Sequence, residues 1–238
     1  MPTPAELSDH TCVVINLNSR PDRWKRISKS LSARLPFLES QRLEAVDGRK
    51  APPPEKDVTL RWSTAYIASF CDWYRVKTLK MSPGERGCCA SHVRCWRRCA
   101  RLGKPLVVLE DDAVVLPRFA EVLAQATREL QELKGSSAAA DVLWLSSKDR
   151  GRARRLSPGS TLMRPEFLWT TVGYVVYPAG ARKLLRACPV DAPVDNFVAR
   201  LVREEQLTGY SVRPAVVRQS QTWNVGSDVP HSDDVAHD

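Results

Sequence analysis

Three consecutive carboxylates, Glu110-Asp111-Asp112, close the aliphatic run Pro105 to Leu109, and a second apolar run, Ala113 to Val115, follows at once. Aliphatic and β-branched runs of this length read as strands buried on both faces. Adjacent acids at the end of such a strand repel one another unless a cation sits among them. The carboxyl ends of strands are also where open α/β sheets bind ligands. Two readings follow: a divalent-metal site at a strand end, or a solvated acidic turn.

Other residues carry chemistry at strand or helix ends. Asn18 to Arg23 is a polar turn holding Arg20 and Arg23, and it leads into a helix; backbone N–H groups and guanidinium groups there suit phosphate. Asp47-Gly48 ends a second strand, where a carboxylate can hold a ribose hydroxyl or form a simple Asp-Gly turn. Asp195 opens a helix after a Pro189-to-Val194 loop, favoured there by the helix dipole, as an N-cap or as a reacting acid. Cys88, His92, Cys95 and Cys99 lie four, three and four apart. They span about 16 Å of a straight helix, whereas metal ligands sit within roughly 2.3 Å of their ion. At most two could share a metal, so the series reads as a buried stripe, with His92 the one able to face the sheet's ligand edge. Lys148 to Arg155 carries five basic residues and one Asp. It reads as a loop for phosphate or an acidic acceptor, or as a solvated charge run.

The elements that must position these residues alternate strand and helix. Cys12 to Leu17 is a first strand. Ser19 offers a cap and Pro21 an early helical position for a helix whose apolar stripe is Trp24, Ile27, Leu31 and Leu35. Gln41 to Val46 is a second strand, and Ala51 to Pro54 starts a loop. Arg61 to Tyr74 suggests a short helix with Trp62, Tyr66, Phe70 and Trp73 on one core-facing side. Ser82-Pro83-Gly84-Glu85 has capping-box chemistry for a helix running to about Leu102 and ending at Gly103. After the central strand, Pro117 to Leu133 is an amphipathic helix closed by Lys134 to Ser137. Asp141 to Leu145 and Thr170 to Tyr177 are further strands. Gly173 inside the latter permits close backbone approach. Helices follow over Ala181 to Ala187 and from Asn196 to about Gln206, then a last strand over Tyr210 to Val217. The tail from Gln219 is polar and contains His231.

Composition limits the partners. The 238 residues are 43% hydrophobic and 26% charged, the balance of a soluble globular chain. No stretch approaches the roughly 18 apolar residues of a membrane span, and Met1 to His10 lacks the pattern of a signal peptide. Seven cysteines, none in a CxxC pair, read as reduced intracellular thiols. These features place the chain in the cytoplasm or at the membrane periphery. The net charge of +9 suits an anionic partner such as a nucleotide diphosphate, an acidic glycan or an anionic membrane surface. With no repeat period, one α/β domain over residues 11–220 is expected, with a flexible 1–10 segment and a 221–238 tail able to close over the site.

Four blocks in order, VVINLNSRPDRW with EAVDGR, MSPGERGCCASHVRCWR, PLVVLEDDAVVLPRF, and VGYVVYPAGARKLL with PVDNF, resemble glycosyltransferase family 25, the lipooligosaccharide and collagen galactosyltransferases. The resemblance implies a GT-A-like, Rossmann-like α/β domain with a mixed, mostly parallel sheet flanked by helices. It implies a UDP-hexose donor, a glycan, lipid-linked glycan or glycoprotein acceptor, and Mn2+ or Mg2+. Carried onto this chain, it implies metal and diphosphate roles for Glu110, Asp111 and Asp112, with His231 as a further ligand. Asn16, Arg20, Arg23, Asp47, Ser91 and His92 are implied near the donor, and Asp195 as the catalytic base of an inverting displacement. Residues 51–80 and 148–155 depart from the family pattern and bear on acceptor choice. Nucleic acid is not an expected partner, because three clustered acids repel phosphate unless metal is present. Two rival classes are another metal-dependent phosphoryl-transfer enzyme and a non-catalytic basic binding protein.

Overall fold

The computed structural model describes residues 7–70, 75–133, 140–146 and 149–220. An eight-stranded sheet runs in the order β2-β1-β5-β10-β7-β11-β9-β8. Its strands are β1 (Thr11–Asn16), β2 (Ser40–Glu44), β5 (Leu106–Glu110), β7 (Val142–Trp144), β8 (Asp149–Arg155), β9 (Leu162–Leu168), β10 (Gly173–Val176) and β11 (Gly209–Val212). Two ribbons flank it, β3 (Arg61–Ser63) with β4 (Thr78–Lys80), and β6 (Ala113–Val115) with β12 (Val217–Gln219). The helices are α1 (Pro21–Arg34), α2 (Ala65–Ala68), α3 (Pro83–Leu102), α4 (Phe119–Leu133), α5 (Pro178–Arg186) and α6 (Val194–Arg203).

The sheet's two faces bury separate cores, and strand alternation decides which residue goes where. Cys12, Val14, Val107 and Leu109 pack with Ile27 and Leu31 of α1 and with Val122, Leu123 and Ala126 of α4. Val13, Ile15, Leu106 and Val108 pack instead with Cys89, Val93, Trp96 and Cys99 of α3, Leu184 of α5 and Phe197 of α6. The central strand β5 is apolar from Leu106 to Leu109 because both its faces are covered, and only its last residue, Glu110, is charged.

The α/β class and the single Rossmann-like sheet match expectation. The strand directions differ: three of the seven pairings are parallel, β1 with β2, β1 with β5, and β7 with β11, and four are antiparallel. β10 returns between β5 and β7, and β8 and β9 form a hairpin, so the far half of the sheet departs from the mostly parallel arrangement.

Helix α3 begins as its sequence dictates. The Ser82 side chain accepts the Glu85 N–H while the Glu85 carboxylate accepts the Ser82 N–H, Pro83 takes the first position, and Gly103 ends the helix in the left-handed region at φ 66°. Helix α1 has Pro21 at its start, but its cap position is Arg20 with no side-chain cap, so Ser19 does not serve.

Four local expectations are corrected. Trp62 sits in β3 rather than on a helix, because the Trp62–Leu79 pairing draws it into a ribbon; Tyr66 is in the four-residue α2, and Trp73 lies outside the described residues. The basic run is not a loop: residues 149–155 form edge strand β8, paired with β9, while Lys148 is outside the described residues. The last strand is two strands, broken at the cis peptide Arg213-Pro214. Asp195 is not a cap, because Pro193 holds that position and Asp195 sits in the first turn of α6. Residues 7–10 are described with Leu7 and His10 buried, and no helix among the described residues is long and apolar enough to cross a membrane.

Candidate functional site

The acids at the end of β5 divide between the two faces as alternation requires. Asp111 continues the parity of Val107 and Leu109 and turns toward α1. Its two carboxylate oxygens are taken, one accepting Arg23 at 3.1 Å and the other the Asn16 amide at 2.7 Å. The Arg26 guanidinium donates to the Asp111 backbone carbonyl at 3.2 Å. Asn16, itself 1% exposed, also accepts Arg42 at 2.7 Å and donates to the Arg20 carbonyl at 2.9 Å. Burial still pushes the Asp111 carboxyl above its ordinary value against the opposing Asn16 and Arg23.

Glu110 continues the parity of Leu106 and Val108 and turns toward α3. Its Oε1 accepts the Thr171 hydroxyl at 2.8 Å and lies 3.5 Å from His92 Nε2. Asp112, two residues past the strand, accepts the Gln219 amide at 2.9 Å, and its backbone carbonyl accepts the Ser220 N–H at 3.0 Å. Its other carboxylate oxygen, Oδ1, is buried without a hydrogen-bond partner. Burial first, then the Glu110 charge, pushes the Asp112 carboxyl up to about 6. A buried, unpartnered carboxylate oxygen beside a second carboxylate is a donor set for a hard divalent cation, which takes oxygen ligands. Asp112 and Glu110 fit that role. Asp111 already accepts one hydrogen bond at each carboxylate oxygen, from Arg23 and from Asn16.

The remaining predicted residues fall around this centre. Arg20 chelates Asp22 at 3.1 and 3.0 Å just before α1. Asp47 accepts its neighbour Arg49 through both backbone and side chain, the geometry of a turn. Ser91 is fully buried behind the edge; its hydroxyl accepts the Val46 N–H and donates to the Gly87 carbonyl. His92 is also fully buried. Asp195 accepts the Asn196 N–H at 2.8 Å. Burial first, and then the charges of Glu110, Cys89, Asp195 and Asp112, hold the Cys88 thiol well above its ordinary value. Asp195 thus shares an electrostatic neighbourhood with the β5 acids. His231 lies outside the described residues.

Backbone contact fixes where the second strand delivers Asp47. A Cβ on Gly48 would fall 2.0 Å from the Pro83 carbonyl oxygen, and one on Gly87 would fall 2.4 Å from that of Val46. Only glycine lets the Val46-to-Gly48 segment lie against the first turns of α3. Sequence reasoning missed Arg26, Arg42, Thr171 and Gln219. Helical spacing from Arg23 was a signal for Arg26; the other three depend on strand register and on a ribbon that closes over 100 residues away in sequence.

Helices on both faces of the sheet, with a carboxylate centre at the end of the central strand and polar turns beside it, define a Rossmann-like α/β protein, a class whose ligands bind at the sheet's carboxyl edge. The model of glycosyltransferase family 25 (LPS biosynthesis protein) matches residues 9–198. The chain belongs to glycosyltransferase family 25. It is 28% identical over 202 residues to a glycosyltransferase 25 family member of Drosophila melanogaster, covering 83% of this chain and 31% of that protein. It is 26% identical over 204 residues to procollagen galactosyltransferase 1 of Danio rerio, covering 83% and 32%. A Bos taurus relative, 29% identical over 200 residues and covering 82% and 32%, is named "Probable inactive glycosyltransferase 25 family member 3". The chain spans about a third of the length of the curated relatives it matches.

Proposed function

We propose that this chain is a hexosyltransferase that moves galactose or glucose from a UDP-sugar to a hydroxyl of a glycan, lipid-linked glycan or glycoprotein acceptor. The observation that carries this reading is the unpartnered Asp112 carboxylate oxygen beside Glu110 at the end of β5. Family membership supports sugar transfer, and the name of the zebrafish relative supports galactose and a protein-borne acceptor. Mn2+ or Mg2+, held by Asp112 and Glu110 with His231 as a further ligand, would supply positive charge to the leaving diphosphate.

The chain's own residues account for the rest. Arg20 and the polar turn before α1 face the diphosphate, and Asp47 faces the ribose. Asp111 stays locked by Arg23 and Asn16 and holds the turn that presents its neighbours. Asp195 accepts the proton of the acceptor hydroxyl as that oxygen bonds to the anomeric carbon. The bond from the anomeric carbon to the diphosphate oxygen breaks in the same displacement, UDP leaves with the electron pair, and configuration inverts. Ser220 donates to the Asp112 carbonyl, and closing of the 221–238 tail over the donor would exclude water.

Incubation with a panel of UDP-sugars and Mn2+ tests the proposal. Release of UDP from one donor, dependent on metal and lost in Asp112→Asn, is the expected result. The names of the inactive relatives favour a second reading, a non-catalytic protein of the same fold. That reading predicts no turnover and no metal-dependent thermal stabilisation by any donor.

A further inference from the structure

Behind Glu110 lies a buried polar chain that the sugar-transfer reading does not use. Trp96 and His92 are fully buried and Tyr174 is 2% exposed. Trp96 Nε1 donates to the Tyr174 hydroxyl oxygen at 3.1 Å. His92 Nδ1 lies 2.9 Å from the same hydroxyl, and His92 Nε2 lies 3.5 Å from Glu110 Oε1. Cys88 Sγ joins them: one donor atom each from Cys88, His92 and Glu110 falls within 4.8 Å of the others.

This cluster could be a thiol-imidazole-carboxylate metal site or a hydrogen-bond chain. The direction of its protons decides. An indole N–H donates only, so the Tyr174 oxygen accepts from Trp96. Burial holds the Tyr174 phenol well above its ordinary value, so it keeps its proton. Among the described residues the acceptor in reach of that proton is His92 Nδ1. If Nδ1 carried the imidazole proton instead, the Tyr174 hydroxyl hydrogen would be stranded in a dry core, at a cost of about 1–3 kcal/mol. The proton of a neutral His92 therefore sits on Nε2, which makes no hydrogen bond of its own and faces Glu110. A metal at Nε2 would have to displace that proton and strand the Tyr174 hydroxyl hydrogen.

We infer that Trp96, Tyr174 and His92 form a one-way donor chain that fixes His92 as its Nε2–H tautomer and aims that N–H at Glu110, making His92 a positioning residue for this carboxylate and not a metal ligand. Thr171 holds the same oxygen from β10's side at 2.8 Å. Glu110 Oε1 thus has the Thr171 hydroxyl on one side and the His92 Nε2 edge on the other. The consequence for metal binding rests on the reading of Glu110 as a metal-centre residue; the tautomer does not.

Long-range 15N–1H NMR of histidine-labelled protein reads the tautomer directly. In the full chain, a protonated Nε2 and an unprotonated Nδ1 are expected for His92, assigned by its loss in His92→Gln. Glu110→Gln should move the Nε2 resonance, and Tyr174→Phe should abolish the single tautomer. Tyr174→Phe should also weaken Mn2+ binding about tenfold, the scale of an outer-shell change. An Nδ1-protonated His92, an Nε2 indifferent to Glu110→Gln, or equimolar Zn2+ bound through Nε2 and Cys88 would overturn the inference. If the wild-type protein binds no Mn2+, the functional reading fails while the tautomer readouts still decide this one.

Discussion

The two faces of the sheet treat neighbouring carboxylates in opposite ways. On the α1 face, Asp111 meets Arg23, Asn16 and the Arg26 guanidinium at its backbone. On the α3 face, Glu110 meets the Thr171 hydroxyl and the Cys88 and His92 side of the helix. Successive residues of one strand end supply both, because side chains alternate across the pleat. The contrast teaches that an acidic triplet is not one functional unit. One acid is held by an arginine and an amide, whereas Asp112 keeps a buried carboxylate oxygen without a hydrogen-bond partner.

The strongest way to break this comparison is to neutralise one acid on each side. Asp112→Asn should lower sugar-transfer turnover about a thousandfold, the scale of several kcal/mol of lost charge stabilisation. The same change should make the metal-free fold more stable at pH 7 by about 1–3 kcal/mol. The sign follows from a folded-state value raised to about 6: Asp112 favours the fold below the unfolded value near 4, and that contribution is lost as pH rises through 6. Denaturant melts of both proteins across pH 4 to 8, without metal, should converge at the acid end. On the other face, Arg23→Ala should cost about 3–5 kcal/mol by leaving the buried Asp111 without its ion-pair partner. Adding Asp111→Asn to Arg23→Ala should recover much of it, and no gain in the double-mutant melt would show that Asp111 is not the partner that matters.

A buried ionisable group at the opposite edge of the sheet sharpens the contrast. His10 precedes β1, both of its ring nitrogens lack hydrogen-bond partners, and burial, opposed by the Asp9 charge, pushes it down to about 4. Its contribution to stability is present above pH 6.5 and lost as pH falls through 4, up to about 3 kcal/mol. His10→Leu should flatten that acid limb in urea titrations while leaving turnover intact. The smallest effect is expected from Ser82→Ala, which removes the α3 cap at a cost of about 1 kcal/mol. Hydrogen exchange should rise in the first turn of α3 and stay unchanged in α1.

The parts of this fold that were legible in the sequence are those set by neighbours in sequence. Ser82 and Glu85 announce α3 because a capping box closes within three residues. The aliphatic run before Glu110 announces β5 because a strand covered on both faces needs no polar position. Helical spacing placed His92 toward the sheet edge for the same local reason. The unread parts depend on distant partners. Residues 149–155 look like a charged loop, yet their backbone pairs with β9, and an edge strand tolerates arginines that a central one would not. Trp62 reads as helical until Leu79 pairs with it across a ribbon. The division of labour among Glu110, Asp111 and Asp112 was hidden for the same reason, since Arg23, Thr171 and Gln219 arrive from three different elements.

The β6–β12 ribbon has a practical consequence. Gln219 and Ser220 fasten the end of the described chain to Asp112 itself, through a side chain and a backbone bond. A truncation after Val216 would therefore do more than trim an edge: it would strip Asp112 of both bonds and remove Val217 from the core cluster it shares with Leu109. A segment fused directly after Ser220 would start one hydrogen bond away from the Asp112 backbone.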